Sequence, residues 1–123
     1  MSTNAYIGVL QTTGSVKSVY LHWDGYPEHA LKTLRSSYNS EDAATALIEH
    51  GAISVLGPDI GAQHDFDEHN DNVCTFYHRD RDEDLDIDTD ANEAEFKKSC
   101  AEYSNYGYLF KNGSWTQVNR QGE

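Results

Sequence analysis

Residues 106–119 have the sequence YGYLFKNGSWTQVN, which defines the clearest structural element of the chain. Two runs rich in aromatic and β-forming residues, Tyr106–Lys111 and Ser114–Asn119, flank the dipeptide Asn112-Gly113. This dipeptide favours the tight turns that join antiparallel strands, because both of its residues tolerate positive φ angles. The expected register pairs Phe110 with Trp115 on one face of a sheet.

Three further strands are expected upstream of this hairpin. Residues 6–10 and 16–23 are rich in β-forming side chains, and the segment 12–15 (Thr-Thr-Gly-Ser) between them predicts a second hairpin. A middle strand is expected over residues 73–78, for the same compositional reason. Trp23 and Tyr26 lie at the end of the second strand, where we expect them to anchor the core.

Helical periodicity fills the segments between these strands. Pro27 suits the first turn of one helix, and Ser40 suits the N-cap of a second helix that ends at Gly51. A third helix is expected to begin near Asp90, because Asp90 and Glu93 have capping-box spacing. The residues expected to face the core from the first and third helices are Leu31, Leu34, Tyr38, Phe96, Cys100 and Tyr103.

These elements predict an α+β fold. We expect an antiparallel sheet of about five strands, built from the two terminal hairpins and the middle strand, with two or three helices packed on one face. At 123 residues, the chain is expected to form a single domain over residues 1–123. Its eight Tyr, four Phe and two Trp residues are enough for one core.

The charge of the chain and its lack of known motifs argue against several classes of function. The net charge of −12 argues against binding nucleic acid or an anionic membrane through phosphate contacts. No apolar run could span a bilayer and the start has no basic region, so a cytoplasmic location is expected. Cys74 and Cys100 are predicted to be reduced, buried thiols. Without a nucleophile elbow or a phosphate-binding glycine loop, neither enzymatic activity nor a cofactor is expected.

The negative charge is concentrated in an acidic segment, residues 64–95. This segment contains 13 of the 21 carboxylates but only two of the nine Lys and Arg residues, and its net charge is therefore −11. Aspartate recurs at every second position from Asp80 to Asp90. In an extended strand, residues two apart lie on one face about 6.6 Å from each other, so six carboxylates would line one face. Leu85 and Ile87 would then point the other way.

The aspartate row has two interpretations that involve no metal. It could be only a solvated edge strand, whose charge prevents edge-to-edge association. It could also be a docking surface for a basic protein, including mimicry of nucleic-acid phosphates. Because phosphates along one DNA strand are about 3.4 Å apart, mimicry needs a second set of carboxylates, from the loop that precedes the middle strand. The predicted partner-binding residues are Asp80, Asp82, Glu83, Asp84, Asp86, Asp88 and Asp90, with Asp65, Asp67, Glu68 and Asp71 from the loop.

A divalent metal ion is the alternative ligand. If an EF-hand loop is taken to start at Asp84, its oxygen-ligand positions are filled by Asp84, Asp86, Asp88, Asp90, Asn92 and Glu95. However, Thr89 stands where the sharp turn of that loop requires Gly. His64 and His69, with His78 beyond them, form a His/carboxylate cluster of the kind that binds zinc or manganese, but without a recognised spacing. The sequence therefore leaves open a metal-binding protein or metal-dependent enzyme that uses segment 64–95, and it assigns no metal ligands.

Four stretches resemble a set of small uncharacterised proteins encoded by bacteriophages and prophages. They are residues 5–9 (AYIGV), 19–27 (VYLHWDGYP), 47–54 (LIEHGAIS) and 106–115 (YGYLFKNGSW). The resemblance implies no activity and no functional residues, but it implies a phage-encoded protein that acts in the host cytoplasm.

The leading hypothesis is a non-enzymatic accessory protein. It would bind a basic host protein through its acidic face and act as an inhibitor or DNA mimic. The sequence does not decide whether the chain forms a homodimer. An interaction module that works through aromatic side chains is a further alternative, with the candidate residues Tyr106, Tyr108, Phe110 and Trp115.

Overall fold

The computed structural model describes residues 3–68 and 72–119. Its strands are β1 (Ala5–Leu10), β2 (Val16–Leu21), β3 (Ile53–Val55), β4 (Thr75–Phe76), β5 (Asp88–Asp90), β6 (Tyr106–Lys111) and β7 (Ser114–Asn119). Its helices are α1 (Ala30–Ser37), α2 (Glu41–Ile48), α3 (Tyr77–Arg81) and α4 (Glu93–Tyr103), and a 3-10 turn covers Phe66–Glu68. Within these residues, seven strands form one sheet in the order β4-β3-β2-β1-β6-β7, with β5 also paired to β2.

The α+β class is confirmed, but the prediction of an antiparallel sheet with about five strands is wrong. The sheet is mixed, because β1 pairs with β6 in parallel and β2 pairs with β3 in parallel. Helices α1 and α2 lie between β2 and β3 in the sequence, and such a crossover returns the chain in the same direction. The two additional strands, β3 and β5, have three residues each; β3 was not predicted, and β5 is the part of the aspartate row that forms a strand.

Both predicted hairpins are confirmed. At the C-terminal turn, Asn112 and Gly113 have φ angles of 53° and 83°, as a two-residue turn between twisted strands requires. Phe110 pairs with Trp115, and their ring centroids are 5.3 Å apart in an edge-to-face arrangement. At the N-terminus, β1 pairs with β2 from Ala5 to Leu10, each residue matched to one partner.

The parallel pairing of β1 and β6 begins at two asparagines that bond to each other. The backbone N–H of Asn4 donates to Oδ1 of Asn105 at 3.2 Å, and the backbone N–H of Asn105 donates to Oδ1 of Asn4 at 2.9 Å. The N–H of Tyr106 then donates to the carbonyl oxygen of Asn4. These bonds fix the register of the two central strands before the ladder starts.

Helices pack on both faces of the sheet, so the prediction that all helices lie on one face is wrong. Helices α1 and α2 cover the face that carries Ile7, Leu21 and Tyr108, and they contribute Leu34 and Leu47 to this main core. Helix α4 covers the opposite face, where Phe96 and Cys100 pack with Val16 and Leu109. It fits closely because residue 107 is glycine: a Cβ there would overlap Cys100.

Three aromatic side chains proposed as an interaction surface belong to the core instead. Tyr108, Phe110 and Trp115 are buried, and Trp115 donates its indole N–H to the carbonyl oxygen of Tyr38 at 2.9 Å. The fourth, Tyr106, is partly buried against them. Substitution of these residues would therefore act on stability first.

The helix boundaries correct two local predictions. Ser40 caps α2 as predicted, accepting a bond from the N–H of Ala43, but α4 is capped by Asn92, two residues after Asp90. Tyr103 was expected in the buried stripe of α4 and is 66% exposed. None of the helices found in residues 3–68 and 72–119 has the length and apolar character needed to cross a bilayer.

Trp23 and Tyr26 do not anchor the core as predicted, because both are exposed. Strand β2 ends at Leu21, so Trp23 lies beyond the alternation that would have buried it. The core contact at this turn is made by the backbone of Gly25, whose carbonyl oxygen accepts the hydroxyl of Tyr108 at 2.6 Å.

Candidate binding surface

The aspartate row does not form one continuous strand, which corrects the geometry expected from its two-residue spacing. Helix α3 takes up Tyr77–Arg81, Asp82 ends it with a left-handed φ of 55°, and residues 82–87 have no regular structure. Only Asp88–Asp90 is a strand, paired antiparallel with residues 16–18 of β2. The middle strand expected over residues 73–78 is likewise limited to Thr75–Phe76, because the helix begins at Tyr77.

Asp80 is a structural residue, and unlike most of the other predicted partner-binding residues of the aspartate row its side chain is not exposed. Its carboxylate is fully buried, with side-chain exposure of 0%. It accepts hydrogen bonds from the backbone N–H groups of His64 (3.0 Å) and Phe76 (2.8 Å) and from the guanidinium of Arg79 (3.0 and 3.1 Å). Burial alone would raise the pKa of Asp80, but these bonds outweigh burial and lower its pKa below the ordinary carboxyl value.

The two cations of the acidic segment are both held by contacts inside the molecule. Besides Asp80, Arg79 donates to the carbonyl oxygens of Ile60 (3.1 Å), Gly61 (2.8 Å) and Cys74 (3.0 Å), so it joins the loop to β4. Arg81 forms an ion pair with Glu83. Neither guanidinium is therefore placed among the aspartates that follow Glu83.

The backbone that carries these aspartates is anchored to the rest of the domain. The N–H of Glu83 donates to the carbonyl oxygen of Tyr77, and the carbonyl oxygen of Glu83 lies 2.7 Å from Nδ1 of His78. Ile87 packs against the main core, and β5 is paired to β2. Near Asp86 the segment packs closely against Gly51, where a Cβ would lie 3.2 Å from the backbone nitrogen of Asp86. The segment is thus a fixed part of the surface.

Five exposed carboxylates lie along this anchored segment, and we call them the acidic surface: Asp82, Glu83, Asp84, Asp86 and Asp88. In the described part of the chain, no Lys, Arg or His nitrogen forms a salt bridge with Asp82, Asp84, Asp86 or Asp88. Partial burial raises the pKa of Asp88, and the neighbouring charges of Asp86 and Asp90 raise it further. In the acidic surface, therefore, only Glu83 has a cation partner among the described residues.

The remaining candidate residues have different surroundings. Asp90 is half-buried and accepts a bond from the hydroxyl of Ser99 at 3.1 Å, so it also serves to hold β5 against α4. Asp65 is exposed just before the 3-10 turn, and Asp67 and Glu68 are exposed on it. That turn reaches the acidic surface through Arg81, whose guanidinium lies over the ring of Phe66 and pairs with Glu83. Asp71 lies outside the described residues.

The two metal hypotheses have no assembled ligand set among the described residues. No group of three His, Cys, Asp or Glu side chains converges there on a point that could hold an ion. The side chains at the EF-hand positions do not converge either, so the sequence order of EF-hand ligands does not become a calcium-binding loop. Nε2 of His64 is 3.0 Å from the hydroxyl of Thr75, while His69 lies outside the described residues.

The two thiols are poor nucleophiles. Both cysteines are free and buried, as predicted. Burial raises the pKa of Cys74, and burial together with the charge of Asp90 raises the pKa of Cys100 to about 12. Because the thiolate is the reactive form, neither side chain is activated at neutral pH.

Sequence reasoning missed the tyrosines beside the acidic surface. An open cleft of about 690 Å³ has Tyr20 and Tyr77 in its lining, together with Asp82, Asp84 and Asp86. The only available signal was that Tyr20 alternates with the buried Val19 and Leu21 and so faces the other side of β2.

Comparison of the chain with models of known protein families gives no match, and comparison with curated proteins and with solved structures gives none either.

Proposed function

We propose that this chain is a non-enzymatic, phage-encoded accessory protein that binds a basic host protein through its acidic surface. The observation that carries the proposal is the set of five exposed carboxylates on an anchored backbone, four of them without a cation partner in the described residues. A basic protein surface would supply the missing counter-charges. The fold does not need these carboxylates for its own packing, because the core and both hairpins are built from other residues.

The charge distribution favours a partner that is approached electrostatically. Since −11 of the net charge of −12 falls in residues 64–95, the field of the molecule is strongest at one region of its surface. Such a field accelerates encounter with a basic protein and weakens as salt rises, because the screening length falls from about 10 Å at 0.1 M to about 3 Å at 1 M.

The class of partner that we propose is a nucleic-acid-binding protein of the host, which the chain would inhibit by occupying its groove. Grooves of that kind are rich in Lys and Arg, and they accept negative charge at phosphate spacing. The supporting feature is the second set of carboxylates, Asp65, Asp67 and Glu68, whose 3-10 turn is joined to the acidic surface through Phe66 and Arg81. Two sets of charges come closer to the density of phosphates than one row does.

A charge-matched pair of variants tests this proposal. One variant replaces Asp82, Asp84, Asp86 and Asp88 with Asn. The other removes four exposed carboxylates elsewhere by Asp24→Asn, Glu28→Gln, Glu49→Gln and Glu102→Gln, so both variants have the same net charge. Each is immobilised and exposed to a nuclease-treated bacterial lysate at low and at high salt, and the captured proteins are identified by mass spectrometry.

We expect the first variant to lose capture of basic proteins by about tenfold and the second to resemble the wild type. Capture by the wild type should fall at high salt and in the presence of added duplex DNA, which competes for the same groove. Equal capture by the two variants would contradict the proposal, because only overall charge would then matter.

A further inference from the structure

The cleft beside the acidic surface combines aromatic rings with carboxylates. It has a volume of about 690 Å³, and it is lined by Tyr20 on β2, Tyr77 on α3 and the aspartates 82, 84 and 86. Leu85, which is 50% exposed, lies on the same lining. A ligand for this cleft must offer a flat or apolar surface to the rings and a positive charge to the carboxylates.

The ring of Tyr20 is held in place by its neighbours. Its hydroxyl is 3.0 Å from Nδ1 of His22 and accepts a bond from the side-chain amide of Asn4 at 3.4 Å. The ring of Tyr6 lies edge-to-face with it at a centroid distance of 5.9 Å. A ring that is already fixed loses little conformational entropy when a ligand packs against it.

The same region already binds one guanidinium group, that of Arg81. This group lies over the rings of Phe66 and Tyr77, at 4.6 Å and 5.1 Å from their centroids, and pairs with the carboxylate of Glu83. The intramolecular contact thus combines aromatic rings with a carboxylate, the two kinds of group that line the cleft.

We propose that the cleft binds an arginine side chain of the basic partner, with the guanidinium against Tyr20 and paired with the carboxylates of Asp82, Asp84 and Asp86. This inference rests on the proposed function and specifies the partner residue that the acidic surface recognises. Arginine fits better than lysine because its planar group stacks on aromatic rings, bonds carboxylates in a bidentate manner and is less strongly hydrated than an ammonium group. A bare metal ion fits poorly, because the carboxylates among the described residues do not converge.

Three peptides of equal length test the proposal by titration calorimetry at low salt. They alternate glycine with arginine, with lysine or with citrulline, the neutral analogue of arginine. We expect the arginine peptide to bind about three- to fivefold more tightly than the lysine peptide, the gain that a ring contact typically provides, and the citrulline peptide not to bind. In NMR spectra, the arginine peptide should shift the ring resonances of Tyr20.

Two variants locate the binding site. Tyr20→Leu keeps apolar bulk but removes the ring, and we expect it to bring affinity for the arginine peptide down to that for the lysine peptide. Tyr26→Leu removes an exposed tyrosine outside the cleft and should change nothing. Thermal unfolding of each variant checks that it is folded, and the comparison of the three peptides on the wild type needs no variant.

The outcomes separate this inference from the proposed function. Equal affinity for the arginine and lysine peptides, or arginine-peptide binding that Tyr20→Leu leaves unchanged, overturns the arginine cleft but not the acidic surface. Failure of both cationic peptides to bind overturns the proposed function and this inference together.

Discussion

Asp80 and Asp82 belong to the same run of alternating aspartates, but their carboxylates have opposite surroundings. That of Asp80 is buried under four hydrogen bonds, two of them from Arg79, while Asp82 is exposed at the end of α3. The two residues therefore form a matched pair for testing which part of the acidic segment supports the fold.

We expect Asp80→Asn to lower the free energy of unfolding by about 3 kcal/mol, because it leaves the guanidinium of Arg79 partly buried without its counter-ion. Asp82→Asn should change it by less than about 0.5 kcal/mol, since Asn also tolerates the left-handed conformation of residue 82. Urea unfolding of both variants measures the difference. Equal effects would mean that the buried carboxylate of Asp80 stabilises the fold no more than the exposed carboxylate of Asp82.

The raised pKa of Asp88 predicts that this residue becomes destabilising as pH rises. Burial and the charges of Asp86 and Asp90 raise this pKa, so the ionised carboxylate destabilises the folded state above its folded pKa. Asp88→Asn should therefore be more stable than the wild type at neutral pH. The advantage should shrink as pH falls through the folded pKa of Asp88 and vanish below the ordinary value of 3.8.

The contribution of Asp80 to stability has the opposite dependence on pH, which provides an internal control. Its folded pKa is lowered, so its stabilising effect is complete above the ordinary value of 3.8 and is lost as pH falls through the folded pKa. Unfolding curves across the acid range, recorded for the wild type and both Asn variants, check the two signs. An advantage of Asp88→Asn that grew on acidification would contradict the assignment.

At the scale of elements, the contact between α4 and the sheet depends on the absence of a side chain at residue 107. We expect Gly107→Ala to cost about 2 kcal/mol, because its Cβ would overlap Cys100 on the helix. Cys100→Ala alone should cost about 1 kcal/mol through the space that it leaves.

In the double variant, the methyl group at 107 occupies part of the space left by the sulfur. The combined cost should therefore be about 1 kcal/mol less than the sum of the single costs, which a double-mutant cycle in urea measures. Costs that add within about 0.3 kcal/mol would show that the two residues do not contact each other.

Elements formed by local interactions were predictable from the sequence. Asn112-Gly113 requires a turn with positive φ angles, and Ser40 caps a helix wherever its neighbours are helical, so both predictions were confirmed. Helix α3 was not predictable, because its bonds to the rest of the fold join it to a distant loop: Asp80 accepts from the N–H of His64, and Arg79 donates to the carbonyl oxygens of Ile60 and Gly61. The charge pattern placed Asp80 on the candidate surface because a pattern of residues cannot show that a carboxylate is buried.

For the whole molecule, the concentration of charge could be read from the sequence, but the shape of the surface that carries the charge could not. The count of −11 in residues 64–95 needs no structure. The cleft does need one, because Tyr20 and Tyr77 are far apart in the chain and meet only when β2 and α3 are in place. Sheet topology was missed for a related reason: the parallel pairing of β1 with β6 leaves no local pattern of residues.

The asparagine pair at the start of β1 and β6 joins residues that are 101 positions apart. The centre of the sheet can therefore close only after Asn105 has left the ribosome. Until then, one edge of β1 lacks its neighbour, and an unpaired strand edge is open to wrong associations. Because distant contacts of this kind slow folding, we expect the edge of β1 to stay unpaired for an interval during synthesis.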